Sequence, residues 1–149
     1  MNLFALLALS AGACIALQAA MNAQLGQLLG SPLLATSFAF LSSFALVSTV
    51  AYFNQYGTTI SALNLSQVPW FLWCSCIFSV IGVASFYFLI PKLGVGNVMS
   101  FALAGQLMLS IVISHFGWFE SPIKHIDGQK ILGIIFMIAA LVLINKEFK

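Results

Sequence analysis

Residues 70–116 read WFLWCSCIFSVIGVASFYFLIPKLGVGNVMSFALAGQLMLSIVISHF: two apolar runs, Trp70–Ile90 and Val95–Phe116, divided by Pro91, Lys92, Leu93 and Gly94. Each run has the roughly 20 residues that an α-helix needs to cross a hydrocarbon core about 30 Å thick. The only formal charge in the stretch, Lys92, falls in the divider. Pro and Gly there are turn formers, so the pattern predicts two membrane-spanning helices joined by a tight turn and therefore antiparallel neighbours.

Outward from this pair, the same reading repeats. Leu3–Met21 and Leu33–Phe53 are long enough to span, and Ile131–Ile144 is a shorter apolar run. Lys130 and Lys146 flank that last run at a separation of about 24 Å for a helix rising 1.5 Å per residue, and their ammonium groups can snorkel to either surface. Gly30, Ser31 and Pro32 close one turn and open the next helix, with Ser31 as its cap and Pro32 where a missing N–H costs nothing. Polar residues are densest in two loops, Asn54–Val68 and Gly117–Gln129, and Trp70, Trp73, Trp118 and Phe119 sit at span ends, at headgroup level. The expectation is an all-α integral membrane protein, one domain over residues 1–149, with five transmembrane helices at about 3–21, 33–53, 70–90, 95–116 and 131–144.

Composition says the same by exclusion. The 149 residues are 62% hydrophobic and 5% charged with a mean hydropathy of +1.09, against about 25% charged in a soluble domain. Five Lys and no Arg leave no basic face for phosphates, which excludes nucleic acid as a partner. Asp127, Glu120, Glu147, His115 and His125 are too few and too scattered for a metal site or an acid–base pair, so neither an enzyme nor a cofactor is expected. Residues 1–13 carry no Lys or Arg, unlike a secretory signal. Ala11, Gly12, Ala13 and Cys14 faintly resemble a lipoprotein cleavage site, against which stands the lack of a basic start. Cys14, Cys74 and Cys76 all fall in apolar stretches and read as small packing residues.

Because no carboxylate lies within a span, an exchanger built on an intramembrane Asp or Glu lacks its key residue, and His115 is the one possible titratable group near the core. The neutral polar positions are then the candidates for solute contact. In the first span Gln18 and Asn22 share a face four residues apart, and Gly12, Ala16 and Ala20 form a small-residue ridge on another. In the fourth, Gln106 sits at mid-span after Gly105 and heads a stripe with Ser110 and Ser114, while Ser42, Ser43 and Ser79 reach similar depth. Two roles are open for the amides: lining a pathway, or binding helix to helix at about 0.6–2 kcal/mol each. Serines are weak signals because most bond their own helix carbonyls. Phe86, Tyr87 and Phe88 read as packing or lipid-facing residues.

Five spans put the termini on opposite sides. With the N-terminus outside, Lys92, Lys146 and Lys149 lie inside and Lys124 and Lys130 outside, a bias of one charge. That is expected of a chain inserting in both orientations and pairing with itself; it is also compatible with a fixed topology whose C-terminus is cytoplasmic.

At these residues the chain resembles the small, five-helix YdcZ-like branch of the drug/metabolite transporter superfamily. The matching segments are Leu17–Leu25, Pro91–Gly94, Ala104–Leu107 and His115–Trp118, together with the closing helix from Ile131. The resemblance implies a half-size inner-membrane transporter whose larger relatives have two inverted halves, and hence an antiparallel homodimer here. Gln18, Asn22 and Gln106 carry over as matching positions. The family often has Asp where this chain has Ser114, which puts proton coupling in doubt, and tends to Gly where this chain has Ser43 and Ala140. The expected function is passage of a small neutral, zwitterionic or lipophilic solute through a cavity at a dimer interface, with the lipid bilayer as surroundings. The competing class is a non-transporting assembly subunit whose amides only join helices.

Overall fold

A computed structural model of the chain describes residues 3–54 and 68–146. All regular structure among them is helical, in the order α1 (Leu3–Leu28), α2 (Pro32–Asn54), α3 (Trp70–Trp73), α4 (Ser75–Leu93), α5 (Val95–Phe116) and α6 (Gly128–Ile144), with a 3-10 turn at Trp118–Glu120 before α6. Among the described residues, four segments are long and apolar enough to cross a membrane: Leu3–Leu28, Pro32–Phe53, Trp70–Leu93 and Val95–Phe116. The fifth, α6, has 17 residues, about 25 Å at 1.5 Å per residue. The chain is an all-α membrane protein. Of the two expected loops, Asn54–Val68 lies almost wholly outside the described residues.

The chain divides into two compact units, Met1–Lys92 and Leu93–Lys149. In the first, α1 packs on α2, and the buried residues there are small: Ala19, Ala23 and Gly26 on α1, Ala35, Thr36 and Ala39 on α2. A Cβ on Gly26 would stand 3.4 Å from the Pro32 Cα and 3.5 Å from the Ala35 Cβ, so the helices approach here nearly backbone to backbone. Without a hydrophobic drive between helices in lipid, van der Waals packing of small residues is what association rests on. The expected ridge of Gly12, Ala16 and Ala20 is not this seam; Gly12 has open space where its side chain would be. The seam lies one face round and nearer the Gly30–Pro32 turn, where a short connection forces the two helices together. The large apolar side chains point outward, among them Leu17, Phe44 and Phe78, the inverse of a soluble core.

Several boundaries differ from the sequence reading, among them the start of α6, at Gly128 and not Ile131. Helix α1 continues past Met21 to Leu28, because Asn22, Gln24 and Gln27 are compatible with helix and no breaker precedes Gly30. Helix α4 continues through Pro91 to Leu93, so the four-residue divider shrinks to Gly94, at φ +82°. Pro91 has no N–H to give the carbonyl of Tyr87 four residues back, so the helix continues with one backbone bond missing. A break appears instead at Cys74, between α3 and α4, where its N–H bonds to the Phe71 carbonyl at 3.1 Å. Pro32 does open α2, and the Leu34 N–H reaches the Ser31 hydroxyl at 3.4 Å, a long capping bond.

In the second unit, α5 packs on α6. Asp127 caps α6, its carboxylate accepting the Lys130 N–H at 2.9 Å. At the far end Asn145 ties the pair, its amide donating to the Ser100 hydroxyl at 2.9 Å and to the Leu141 carbonyl at 2.7 Å.

Candidate functional site

Gln18 and Asn22 point from one face of α1 to a residue on α4, the phenol of Tyr87. The Asn22 amide donates to the Tyr87 hydroxyl oxygen at 2.9 Å, and the Gln18 amide approaches the same oxygen at 3.5 Å, the outer limit of a hydrogen bond. Tyr87 is 1% exposed, the largest fully buried side chain among the described residues. Its ring is held by packing, and its hydroxyl is the point where α1 and α4 meet through polar atoms. With both amides donating, the phenol oxygen accepts twice and keeps its own O–H available, while the two amide carbonyl oxygens remain free acceptors. The cluster thus offers donors and acceptors without a formal charge.

In the sequence Tyr87 reads as a packing or lipid-facing residue, because its neighbours Phe86 and Phe88 make an aromatic run. The signal was present: a phenol within an apolar span must find a hydrogen-bond partner, and the amides at Gln18 and Asn22 needed partners of their own. Phe88 is half exposed and lies beneath the Lys92 ammonium, 3.6 Å from ring centroid to nitrogen, at the end of the span.

The serines divide. Ser42 bonds the Phe38 carbonyl, Ser79 the Ser75 carbonyl and Ser110 the Leu107 carbonyl, each within its own helix. Ser43 and Ser79 also border an open groove of about 650 Å³ between α2 and α4, walled by Phe40, Phe44, Val47 and Val80. A smaller recess of about 250 Å³ lies against Tyr87 itself, between Gly26 and Pro32 on one side and Phe88 and Pro91 on the other. Cys14, Cys74 and Cys76 are free thiols, with Cys14 and Cys76 exposed.

Gln106, Ser110 and Ser114 belong to the second unit, on α5, where Gln106 is exposed and Ser114 half-buried. His115 ends this stripe. Its Nδ1 accepts the Ile126 N–H at 3.2 Å, and its ring meets that of His125 edge to face at 5.6 Å between centroids. A second polar group, not singled out in the sequence, sits at the opposite end of α5: Asn97 donates to the Leu93 carbonyl, Ser100 to the Asn97 carbonyl, and Asn145 to Ser100. No group of three or more His, Cys, Asp or Glu that could hold a metal ion occurs among the described residues.

Long apolar helices, of which α1 and α2 bury small residues against each other, define a polytopic membrane protein. The family described as "Putative inner membrane exporter, YdcZ" matches residues 3–143. The chain belongs to that family, and with it to the multi-pass transporters of the inner membrane. No curated protein and no solved structure matches it.

Proposed function

We propose that the chain is a half-size transporter of the drug/metabolite type, moving a small neutral, zwitterionic or lipophilic solute through a cavity formed where two copies meet in antiparallel orientation. The observation that carries this reading is the polar cluster in which the half-buried Asn22 and the exposed Gln18 converge on the buried Tyr87 hydroxyl. It supplies neutral donors and acceptors within candidate spans, and among the described residues no buried ion accompanies it to pair with a strongly charged solute. Gln106, Ser110 and Ser114 on α5 are further polar positions for solute contact, and Ser43 and Ser79 border an apolar groove suited to the lipophilic part of a solute. The near balance of Lys between the two sides supports insertion in both orientations. With so few groups able to transfer protons, we read the activity as passage and not chemistry.

A second reading has an observation in its favour. The Asn22 amide is already bonded within its own chain at 2.9 Å, as expected if the amides serve only to join helices in a non-transporting assembly subunit. Purified protein in liposomes under a set pH gradient, screened with neutral, zwitterionic and lipophilic solutes, separates the two. Flux that falls in Gln106→Leu, with melting temperature and dimer fraction retained, supports the transporter. Intact, dimeric protein that passes none of the solutes supports the assembly subunit.

A further inference from the structure

We propose that His115 is a proton-operated latch on the segment joining α5 to α6. The neutral ring holds the segment at Ile126, and a protonated ring lets it go.

The segment 117–127 is fastened to the end of α5 at two points. The Lys124 N–H donates to the Ser114 carbonyl at 2.9 Å, and the Ile126 N–H donates to the His115 Nδ1 at 3.2 Å. Between them the backbone is unusual: Gly117, Phe119 and Glu120 all have positive φ, at 66°, 55° and 59°. At Gly117 the position of a Cβ is only 2.8 Å from the Ile123 Cγ1, so the segment folds closely over the helix end. Residues with side chains adopt left-handed conformations reluctantly and keep them only when surrounding contacts hold them there.

One of the two fastenings depends on a proton. An Nδ1 that accepts from a backbone N–H must be the bare nitrogen of a neutral imidazole whose proton sits on Nε2. When the ring takes up a proton, Nδ1 gains a hydrogen that faces the Ile126 N–H, donor against donor, and the bond is lost. The Ser114–Lys124 bond joins two backbone groups and does not respond. Release is therefore local, opening the stretch around His125 and Ile126 next to Asp127, the residue that caps α6. The latch is closed at high pH and opens as pH falls through the titration of His115.

The charged and titratable groups around the ring come from the segment and from α6. The segment carries Glu120, Lys124, His125 and Asp127, with the His125 ring in edge-to-face contact at 5.6 Å. From α6, the Lys130 ammonium donates to the carbonyls of Lys124 and His125. His125 is the other imidazole present and so the necessary control.

The test is a pH titration, from 8 to 5, of the full chain labelled with 15N-isoleucine in lipid nanodiscs. The Ile126 amide signal is identified by its loss in Ile126→Val. The latch predicts that this signal moves upfield and loses exchange protection at least tenfold, after correction for the intrinsic pH dependence, with the midpoint of the His115 ring. His125→Phe should keep the transition, and His115→Phe should fix the amide at its low-pH position throughout. An Ile126 amide that stays in place while the His115 ring titrates overturns the proposal, and so does a transition that survives His115→Phe. The wild-type titration decides the matter even if His115→Phe does not fold.

Discussion

Removing one oxygen atom tests the polar contact between α1 and α4. Tyr87→Phe leaves a ring that is 1% exposed in its packed position and opens almost no cavity. It deletes the acceptor of the 2.9 Å bond from Asn22 and of the 3.5 Å approach from Gln18. The second contact is too long to contribute much, so the change amounts to one lost interhelical bond, about 0.6 kcal/mol on average and up to about 2 kcal/mol in membrane proteins. Asn22 is half-buried and cannot fully rehydrate its freed amide, which places the expected loss at about 1–2 kcal/mol. Thermal unfolding in detergent should show it as a decrease of a few degrees, at about 2–4 °C per kcal/mol. The sharper assay is a double-mutant cycle with Asn22→Ala, expected to give a coupling of about 1 kcal/mol, beside a Gln18→Ala cycle expected to be nearly additive. Asn22 and Tyr87 effects that add to within about 0.3 kcal/mol would refute the reasoning.

Other substitutions address the remaining elements. Gln106→Leu should leave the protein folded and dimeric, because an apolar side chain of similar size is readily accommodated in lipid, while solute flux falls; reduced melting temperature with normal flux would falsify its place in the pathway. Gly26→Ala should be tolerated, its Cβ meeting Pro32 and Ala35 at ordinary contact distance, whereas Gly26→Leu should cost about 1–3 kcal/mol by forcing α1 from α2, both read by thermal unfolding. Reporter fusions at the C-terminus should be active on both sides of the membrane, and moving one or two Lys between the Lys92 and Lys124 regions should bias them; activity on one side alone rejects the antiparallel pair. Single cysteines placed from Ile134 to Leu141 on α6 should cross-link dimers, and cross-links confined to α1 would show that α6 is not at the interface.

The helices were legible because the membrane imposes a coarse rule, about 20 apolar residues without charge, and α5 obeys it to the residue at Val95–Phe116. Helix ends were less legible because amides and proline do not stop a helix by themselves. Asn22, Gln24 and Gln27 continue α1, and Pro91 rides inside α4. The small residues of the α1–α2 seam were not legible for a different reason. Periodicity identifies ridges, and α1 has more than one; which ridge meets a neighbour is decided by the Gly30–Pro32 turn, which brings Gly26 against Pro32 and Ala35. The amides at Gln18 and Asn22 were visible as groups in need of partners, but the partner, Tyr87, lies 65 residues from Asn22 along the chain. A contact of that range has no local signature.

The strength of the Asn22–Tyr87 bond bears on how the two readings of the cluster relate. A contact of about 1 kcal/mol changes a two-state ratio about fivefold, enough to favour one arrangement of α1 and α4 without locking it. A charged pair at the same depth would be far harder to separate, because each ion would be left in a medium that cannot solvate it. Neutral amides and a phenol can exchange one another for a solute's donor or acceptor at nearly constant bond number, since each has unused capacity. Joining helices and contacting solute are therefore compatible uses of one cluster. What distinguishes them is whether a bound solute competes with the Asn22–Tyr87 bond. If it does, Tyr87→Phe should weaken the fold and alter flux together, while a cluster that only joins helices should show the first effect alone.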